Sequence, residues 1–363
     1  MPSKRPVDVT ASRPTNGNRR HEPSAKLLAA TRRLGLRYVA ADTLSIRRRR
    51  CGRGWIYVAA DKRVIRDPKT ARRLSGLAMP PAYQDVLYAS DPAAHLQAVG
   101  RDAAGRLQYR YHPKWEHVRE LDKARRLARL AAALPRIRRS IAQHLRAPEP
   151  TRELASAAVI EMVALSAIRS GRESYARQRG TRGAATLLKS NVALRGRTIA
   201  LTFASKGGKT AAKEFSAPRL ARAIALLRRL PGRRLFQYRA ADGKICRVTA
   251  REVNAFLREI AGAGVSLKDF RTMLASASAL AALARTAPAA REGARRRQVL
   301  SAVRAVAEDL GNTPAVCRRS YVHQAVVVAF QDGALAGLSQ ALNGRSATRR
   351  ARALASVVAK AAR

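Results

Sequence analysis

The rhythm of hydrophobic and polar positions changes once along this chain. Residues 1–27 are polar, rich in Pro, Asn, Ser and Arg, and have almost nothing to bury, which predicts a disordered basic arm. From Leu34 to His112, short apolar runs alternate with Gly, Asp and Pro. Trp55–Val58, Asp85–Tyr88, His95–Val99 and Leu107–Tyr111 are the predicted strands. Asp67 followed by Pro68 predicts an N-cap and the start of a short helix running through Leu74. Between residues 113 and 125 the texture turns to Ala, Leu and Arg at helical spacing, and it remains so nearly to the end. Two strand-like stretches interrupt it, Thr198–Phe203 and Lys213–Phe215, with a Gly-containing hairpin loop from Ala204 to Thr210 between them. This pattern predicts an α+β protein. Its parts are an arm (1–27), a small mostly β domain (28–115), a larger mostly α domain with a β-hairpin (116–343) and a basic, Ala-rich tail (344–363). No internal repeat at a solenoid period is visible.

Charge narrows the partners. The chain has 363 residues, 72 Lys and Arg against 24 Asp and Glu, and a formal net charge of +48. Such an excess repels itself unless a polyanion neutralises it, which points to nucleic acid. Only 13 of the basic residues are Lys, and Arg and Ala are used heavily everywhere. The sign of the charge is therefore more informative than its size. Cys51, Cys246 and Cys317 lie far apart and form no C-x-x-C pair, which argues against a zinc ribbon or a disulfide framework and fits a reducing cytosol. No apolar run reaches membrane-spanning length, and the N-terminus lacks a hydrophobic signal segment. A cytoplasmic protein is expected.

Most candidate motifs have bland readings. Gly208-Lys209-Thr210 resembles the end of a P-loop, but Phe203 stands where that motif needs Gly, and a hairpin replaces the strand-to-helix turn. His112 and His117 lack further ligands at metal spacing, and no tight acidic cluster exists to hold Mg²⁺, so a metal-free mechanism is favoured. The stretch Leu310-Gly311-Asn312-Thr313-Pro314 predicts a helix capped by Thr313, with Tyr321 two turns in. Ile168-Arg169-Ser170-Gly171 is expected to close a long apolar helix begun near Thr151, with Gly171 as its C-cap. Lys206 sits at the hairpin loop. Ser266 and Asp269 form a capping box, with Arg271 in the first turns of the helix that follows. Taken singly, each cation reads as a solvated charge and Tyr321 as a packed helix residue.

Their order changes that reading. Arg169, Lys206, Arg271, Asn312 and Tyr321, in that sequence, resemble the active site of the type IB DNA topoisomerases, in the compact poxvirus-like and bacterial branch. The local frames agree as well: Ile168-Arg169-Ser170-Gly171, Phe203 to Lys206, Phe270-Arg271-Thr272 and Leu310 to Pro314. In the β-rich part, Met79-Pro80-Pro81-Ala82-Tyr83 is similar to the family's Ile-Pro-Pro-Ala-Trp. Gly100-Arg101-Asp102 with Gly105-Arg106-Leu107-Gln108-Tyr109 is similar to its Gly-Arg-Asp and Gln-Tyr signature. The resemblance covers residues 34–335 and omits both tails. Two departures stand out. Tyr83 replaces Trp, and Asn312 stands where poxvirus members and tyrosine recombinases have His, so this position can donate a hydrogen bond but cannot carry a proton.

The resemblance implies a metal- and cofactor-free transesterification on double-stranded DNA. Tyr321 would attack the scissile phosphate, forming a 3′-phosphotyrosine link. Arg169 and Arg271 would hold the non-bridging oxygens with help from Asn312, and Lys206 would protonate the departing 5′-oxygen. It also implies a monomeric, C-shaped DNA clamp associated with the nucleoid. Gln108, Tyr109, Arg172 and Tyr175 match family positions that meet DNA. Arg47 to Arg50 offer phosphate contacts or form a solvated run. Two rivals remain: a tyrosine recombinase, which would usually show H-x-x-R-H where this chain has Lys268-Asp269-Phe270-Arg271-Thr272, and a non-enzymatic basic DNA-binding protein.

Overall fold

In the computed structural model, which describes residues 23–342 and 347–360, the chain divides into two units after Val118. Most of the predicted arm and the ends of the predicted tail lie outside the described residues. Helix covers 51% and strand 17%, in the α+β class.

The first unit opens with α1 (Ala25–Arg33) and continues with β1 (Ile46–Cys51), β2 (Gly54–Val58), α2 (Pro68–Gly76), β3 (Gln84–Tyr88), β4 (Leu96–Arg101) and β5 (Leu107–Tyr111). The strands form one antiparallel sheet in the order β2-β1-β3-β4-β5. Asp67 caps α2 by accepting from the Lys69 and Thr70 N–H groups, with Pro68 at the first helical position. Four predicted strands are present, but β1 contains the whole Arg47–Arg50 run and shows no alternation that would reveal it. It is held by its pairing with β2 and β3, and Arg48 within it is tied into the fold. That guanidinium lies 4.1 Å over the Trp55 ring and donates to the carbonyls of Met79 (2.8 Å), Pro80 (2.7 Å) and Tyr83 (2.7 Å). Arg48 therefore belongs to the fold, binding the Met79–Tyr83 segment to the sheet, and is neither a solvated charge nor a free phosphate contact. Ile46, Tyr57, Leu74, Val86, Tyr88 and Ala98 form the core beside it.

The second unit comprises α3 (Trp115–His144, which starts just before the division), α4 (Arg152–Ser166), α5 (Glu173–Arg179), β6 (Val192–Arg195), β7 (Thr198–Ala204), β8 (Thr210–Ser216), α6 (Pro218–Arg228), β9 (Gln237–Arg239), β10 (Ile245–Arg247), α7 (Ala250–Ala261), α8 (Leu267–Ala284), α9 (Glu292–Asp309), α10 (Pro314–Ser320), α11 (Gln324–Gln331), α12 (Leu338–Leu342) and α13 (Ala347–Lys360). α4 is its axis. Leu154, Val159, Ile160, Met162 and Val163 are wholly buried, and α6, α7 and α8 surround the helix. Each such large side chain contributes about 1.5–3 kcal/mol of burial. Thr151 caps α4 as expected, but the helix stops at Ala167 in the left-handed region (φ 54°), not at Gly171. The sheet β6-β7-β8 adds β6 to the predicted hairpin, and β9–β10 form a second small hairpin. Both additions are too short or too polar to show a period of two. Residues 347–360, read from sequence as part of a tail, form α13, whose Ala351, Leu354, Val357 and Val358 are buried in the core of this unit.

Candidate active site

The geometry is built on a close crossing of two backbone segments. After α4 the chain leaves the helix and carries Arg169 and Ser170 on an irregular segment. Ala184 N–H donates to the Arg169 carbonyl at 2.7 Å, and Ala185 N–H to that of Ser170 at 2.9 Å. Gly171 (φ 82°) and Gly183 face one another at this crossing. A Cβ on Gly183 would lie 2.5 Å from the Arg169 carbonyl oxygen, so no larger residue fits. This fixes the backbone that carries Arg169.

From there the Arg169 guanidinium donates to Asn312 Oδ1 at 2.5 Å. Asn312 is set by the end of α9: Gly311 turns with φ 59°, and Asn312 N–H donates to the Ala307 carbonyl at 2.8 Å. Since Arg169 can only donate, the Asn312 oxygen must face it, and the amide NH₂ is left pointing elsewhere. That Nδ2 is buried and has no partner among the described residues.

Arg271 comes from the first turns of α8, whose start is the predicted capping box. Ser266 N–H and Oγ both donate to the Asp269 carboxylate at 2.8 Å. Arg271 is only 3% exposed, its guanidinium carbon lies 5.1 Å from the centre of the Tyr321 ring, and one Nη donates to the Leu310 carbonyl at 3.4 Å. Its Nε is also buried without a partner among the described residues. Burial lowers the Arg271 pKa, opposed by the nearby Tyr321 and reinforced by Arg169. A guanidinium is basic enough to stay charged throughout the physiological range despite this lowering.

Tyr321 ends α10, which begins with Thr313 as N-cap and Pro314 at the first position, as expected. Its half-buried ring meets Arg271, while its backbone is tied to α8. Ser276 Oγ donates to the Tyr321 carbonyl at 2.8 Å and accepts the His323 N–H at 3.0 Å. The Glu120 carboxylate accepts from Gln324 N–H at 3.0 Å and pairs with Lys123. Burial opposes the charge on Glu120, but these donors hold its pKa below the ordinary value. His323 Nδ1 accepts the Ala325 N–H, so Nε2 carries the proton toward the Glu120 carbonyl, 3.1 Å away, and burial keeps the ring neutral. Cys317, one turn before Tyr321, is buried, and burial pushes its thiol up to about 11.

Arg169, Arg271 and Asn312 line a cavity of about 290 Å³, together with Arg182, Ser205 and Lys209. Asp309 also reaches its wall but is paired with Lys213. Lys206 is outside this group. It sits exposed in the β7–β8 loop, where Gly207 and Gly208 both take positive φ, and makes no hydrogen bond or ion pair among the described residues. Gly208-Lys209-Thr210 joins two antiparallel strands and is not a P-loop. Arg172 is the exposed N-cap of α5, and Tyr175 is 46% exposed beneath the Arg179 guanidinium. In the first unit, Gln108 is half-buried and donates to Asp102, whereas the Tyr109 ring is exposed beside Tyr111. Arg182, Ser276 and Glu120 carry no sequence signal, and Lys209 drew attention only within the P-loop-like Gly208-Lys209-Thr210. They belong to no ordered motif, and only the fold brings them here.

Residues 112–342 match a family model described as the catalytic core of eukaryotic DNA topoisomerase I. Residues 54–102 match the N-terminal domain of bacterial DNA topoisomerase IB. The chain belongs to the type IB DNA topoisomerases. DNA topoisomerase 1B of Acanthamoeba polyphaga mimivirus is 30% identical to it over 295 residues, which is 79% of this chain and 88% of the viral one. The topoisomerase is thus an isomerase, and its substrate is DNA. All five residues of the ordered site fall inside the matched catalytic core, while Gln108 and Tyr109 lie between the two matched segments. Among the described residues, no helix is long and apolar enough to cross a membrane, and no group of three or more His, Cys, Asp or Glu is placed to hold a metal.

Proposed function

We propose that this topoisomerase relaxes supercoiled duplex DNA by cutting one strand through a 3′-phosphotyrosine intermediate, allowing rotation, and resealing it. The observation that carries this reading is the pair of unpartnered donors, Arg271 Nε and Asn312 Nδ2, in two residues lining one cavity beside Tyr321. A buried donor without a partner costs about 1–3 kcal/mol. A ligand rich in oxygen acceptors and negative charge, such as a phosphodiester, would remove that cost. Donors waiting there gain most when charge builds on the non-bridging oxygens in the transition state.

In the forward step the Tyr321 phenol releases its proton to solvent, favoured by the cationic surroundings, and its oxygen forms a bond to phosphorus as the bond to the 5′-oxygen breaks. Lys206, carried in from the exposed hairpin loop, supplies the proton that the leaving oxygen needs. Resealing reverses both transfers. One ester replaces another, so the bond energy is conserved and no nucleotide is consumed. Arg169 and Arg271 hold the phosphate, and Asn312 adds a neutral donor. Between the two steps the enzyme holds DNA as a monomeric clamp, with Tyr109, Arg172 and Tyr175 touching the duplex. Gln108 supports the Asp102 loop in the first unit. Work at the nucleoid follows from such a substrate.

The test is incubation with negatively supercoiled plasmid in EDTA without ATP, with parallel samples quenched in detergent. Relaxation with a protein adduct at a 3′ end is the expected result. An adduct on defined sites without relaxation would indicate a recombinase, and neither product would leave a DNA-binding protein only.

A further inference from the structure

A second cleft adjoins the catalytic cavity in the same unit. Its volume is about 350 Å³, and its wall carries Arg177, Arg182, Arg233, Arg234 and Arg247. Four stretches of chain converge to place them: α5, the crossing next to Gly183, the loop between α6 and β9, and the end of β10. Arg182 belongs to both walls, so the two cavities share one cationic border.

Most of this charge is uncompensated. Arg234 donates to the Thr186 carbonyl at 2.5 Å and pairs with Glu173, the carboxylate beside the cleft. Arg177, Arg182, Arg233 and Arg247 make no side-chain hydrogen bond or ion pair among the described residues. Arg182 is half-buried, and its pKa is lowered by that burial and by repulsion from Arg234 and Arg233, with only Glu173 opposing. Ordinary surface arginines in a basic chain spread apart in water. These are gathered from four segments into one concavity, where mutual repulsion is least screened. Guanidinium forks match phosphate oxygens in geometry and charge. The volume falls within the range of ligand pockets, about 300–1,000 Å³, so a sugar–phosphate unit fits as well as a lone ion.

We propose that the arginine cleft is a second phosphate subsite, taking the DNA backbone next to the phosphate held by the catalytic cavity, with Arg182 between the two. This rests on the reading of that cavity as the scissile-phosphate site. Arg233 and Arg247, both exposed and outside the catalytic wall, supply charge to the flanking phosphates.

The test uses the full chain carrying Tyr321→Phe, so that binding is measured without cleavage, and a short fluorescein-labelled duplex. Anisotropy gives Kd at a series of salt concentrations, with and without Arg233→Ser and Arg247→Ser together. Each phosphate contact contributes about 0.9 to the slope of log K against log salt. The double variant should weaken binding and flatten that slope by about 1.8, and the Arg233→Lys, Arg247→Lys pair should restore it. An unchanged slope overturns the subsite. So does calorimetry showing that inorganic pyrophosphate binds in the cleft and is lost in the Ser variant while the DNA slope stays the same, since the cleft would then serve a free phosphate compound. Failure of the underlying reading is separately visible: the chain with Tyr321 intact would form no detergent-trapped adduct, whatever the slopes.

Discussion

The Ser276 hydroxyl donates to the carbonyl of Tyr321 at 2.8 Å from a fully buried position on α8. The same hydroxyl accepts the His323 N–H at 3.0 Å, so one side chain grips the backbone on both sides of Val322. Ser276 lies five positions after Arg271 on α8. A single rigid helix thereby sets the cation over the Tyr321 ring and the backbone that presents that ring. Removing the hydroxyl takes away the partner of the part-buried Tyr321 carbonyl and of the buried His323 N–H, at about 1–3 kcal/mol for each group left unsatisfied. Ser276→Ala should slow single-turnover cleavage by about tenfold or more while leaving the Kd for DNA within about twofold. A matched fall in affinity would mean that the contact serves folding or binding, not nucleophile placement.

The crossing of Gly171 and Gly183 makes a sharper prediction. Gly183→Ala would bring a Cβ to 2.5 Å from both the Arg169 carbonyl oxygen and Gly171 N, and backbone cannot swing aside as a flexible side chain can. The Arg169 segment must shift, and misplacing a catalytic group by about 1 Å costs about a hundredfold. Cleavage should fall by at least that factor. Gly180→Ala supplies the control, because its Cβ would meet nothing within 4 Å and only its positive φ (63°) is strained. Equal losses in both variants would remove the close approach as the cause.

The sequence was most legible where chemistry depends on order and local caps. Thr151, Ser266 and Thr313 mark real helix starts, because a side-chain cap is a local interaction. The chain order of Arg169, Arg271, Asn312 and Tyr321 survived folding into one neighbourhood. Elements held by distant partners were not legible. β1 is set by its pairing with β2 and β3, and its Arg48 is anchored by the carbonyls of Met79, Pro80 and Tyr83 more than thirty residues away. The helix at residues 347–360 has an apolar face whose burial depends on what it meets, and a local pattern of Ala and Arg does not reveal that. Ser276 and Arg182 lack any motif, since their roles come from what lies opposite them in space.

Asn312 offers a test of what its neutral amide does. Its oxygen is taken by Arg169, leaving Nδ2 as the group able to face a phosphate oxygen. Asn312→Asp keeps the Arg169 contact but replaces the donor with a charged acceptor that repels phosphate. Losing one transition-state donor typically costs about 10²–10³ in rate. Single-turnover cleavage by Asn312→Asp should fall at least that far, while Asn312→His, which can still donate an N–H, should retain most of its rate. If the two variants are equally slow, the donor role is wrong and shape at this position is what matters.

Acid should loosen the β-rich unit through His95. This ring is 4% exposed, stacks on Tyr38 at 4.2 Å and meets the Trp115 ring at 4.4 Å. Its Nδ1 accepts the Val39 N–H at 3.1 Å, a bond that a protonated ring could not accept. Burial lowers its pKa from 6.5 to about 4. Above 6.5 folded and unfolded chains are both neutral at this residue, and it adds no pH dependence. Below 6.5 the unfolded chain binds a proton that the folded one refuses, so stability declines until the folded pKa near 4 is reached. At about 1.4 kcal/mol per unit, the whole window amounts to roughly 3 kcal/mol. His112, whose pKa is also lowered by burial and by Lys114, acts in the same direction and must be separated. Both tryptophans, Trp55 and Trp115, lie in this unit, so urea unfolding followed by Trp fluorescence reports on it directly. Between about pH 7 and 5 the chain should lose about 2 kcal/mol more than its His95→Gln variant, and parallel pH curves for the two would show that His95 is not the titrating group.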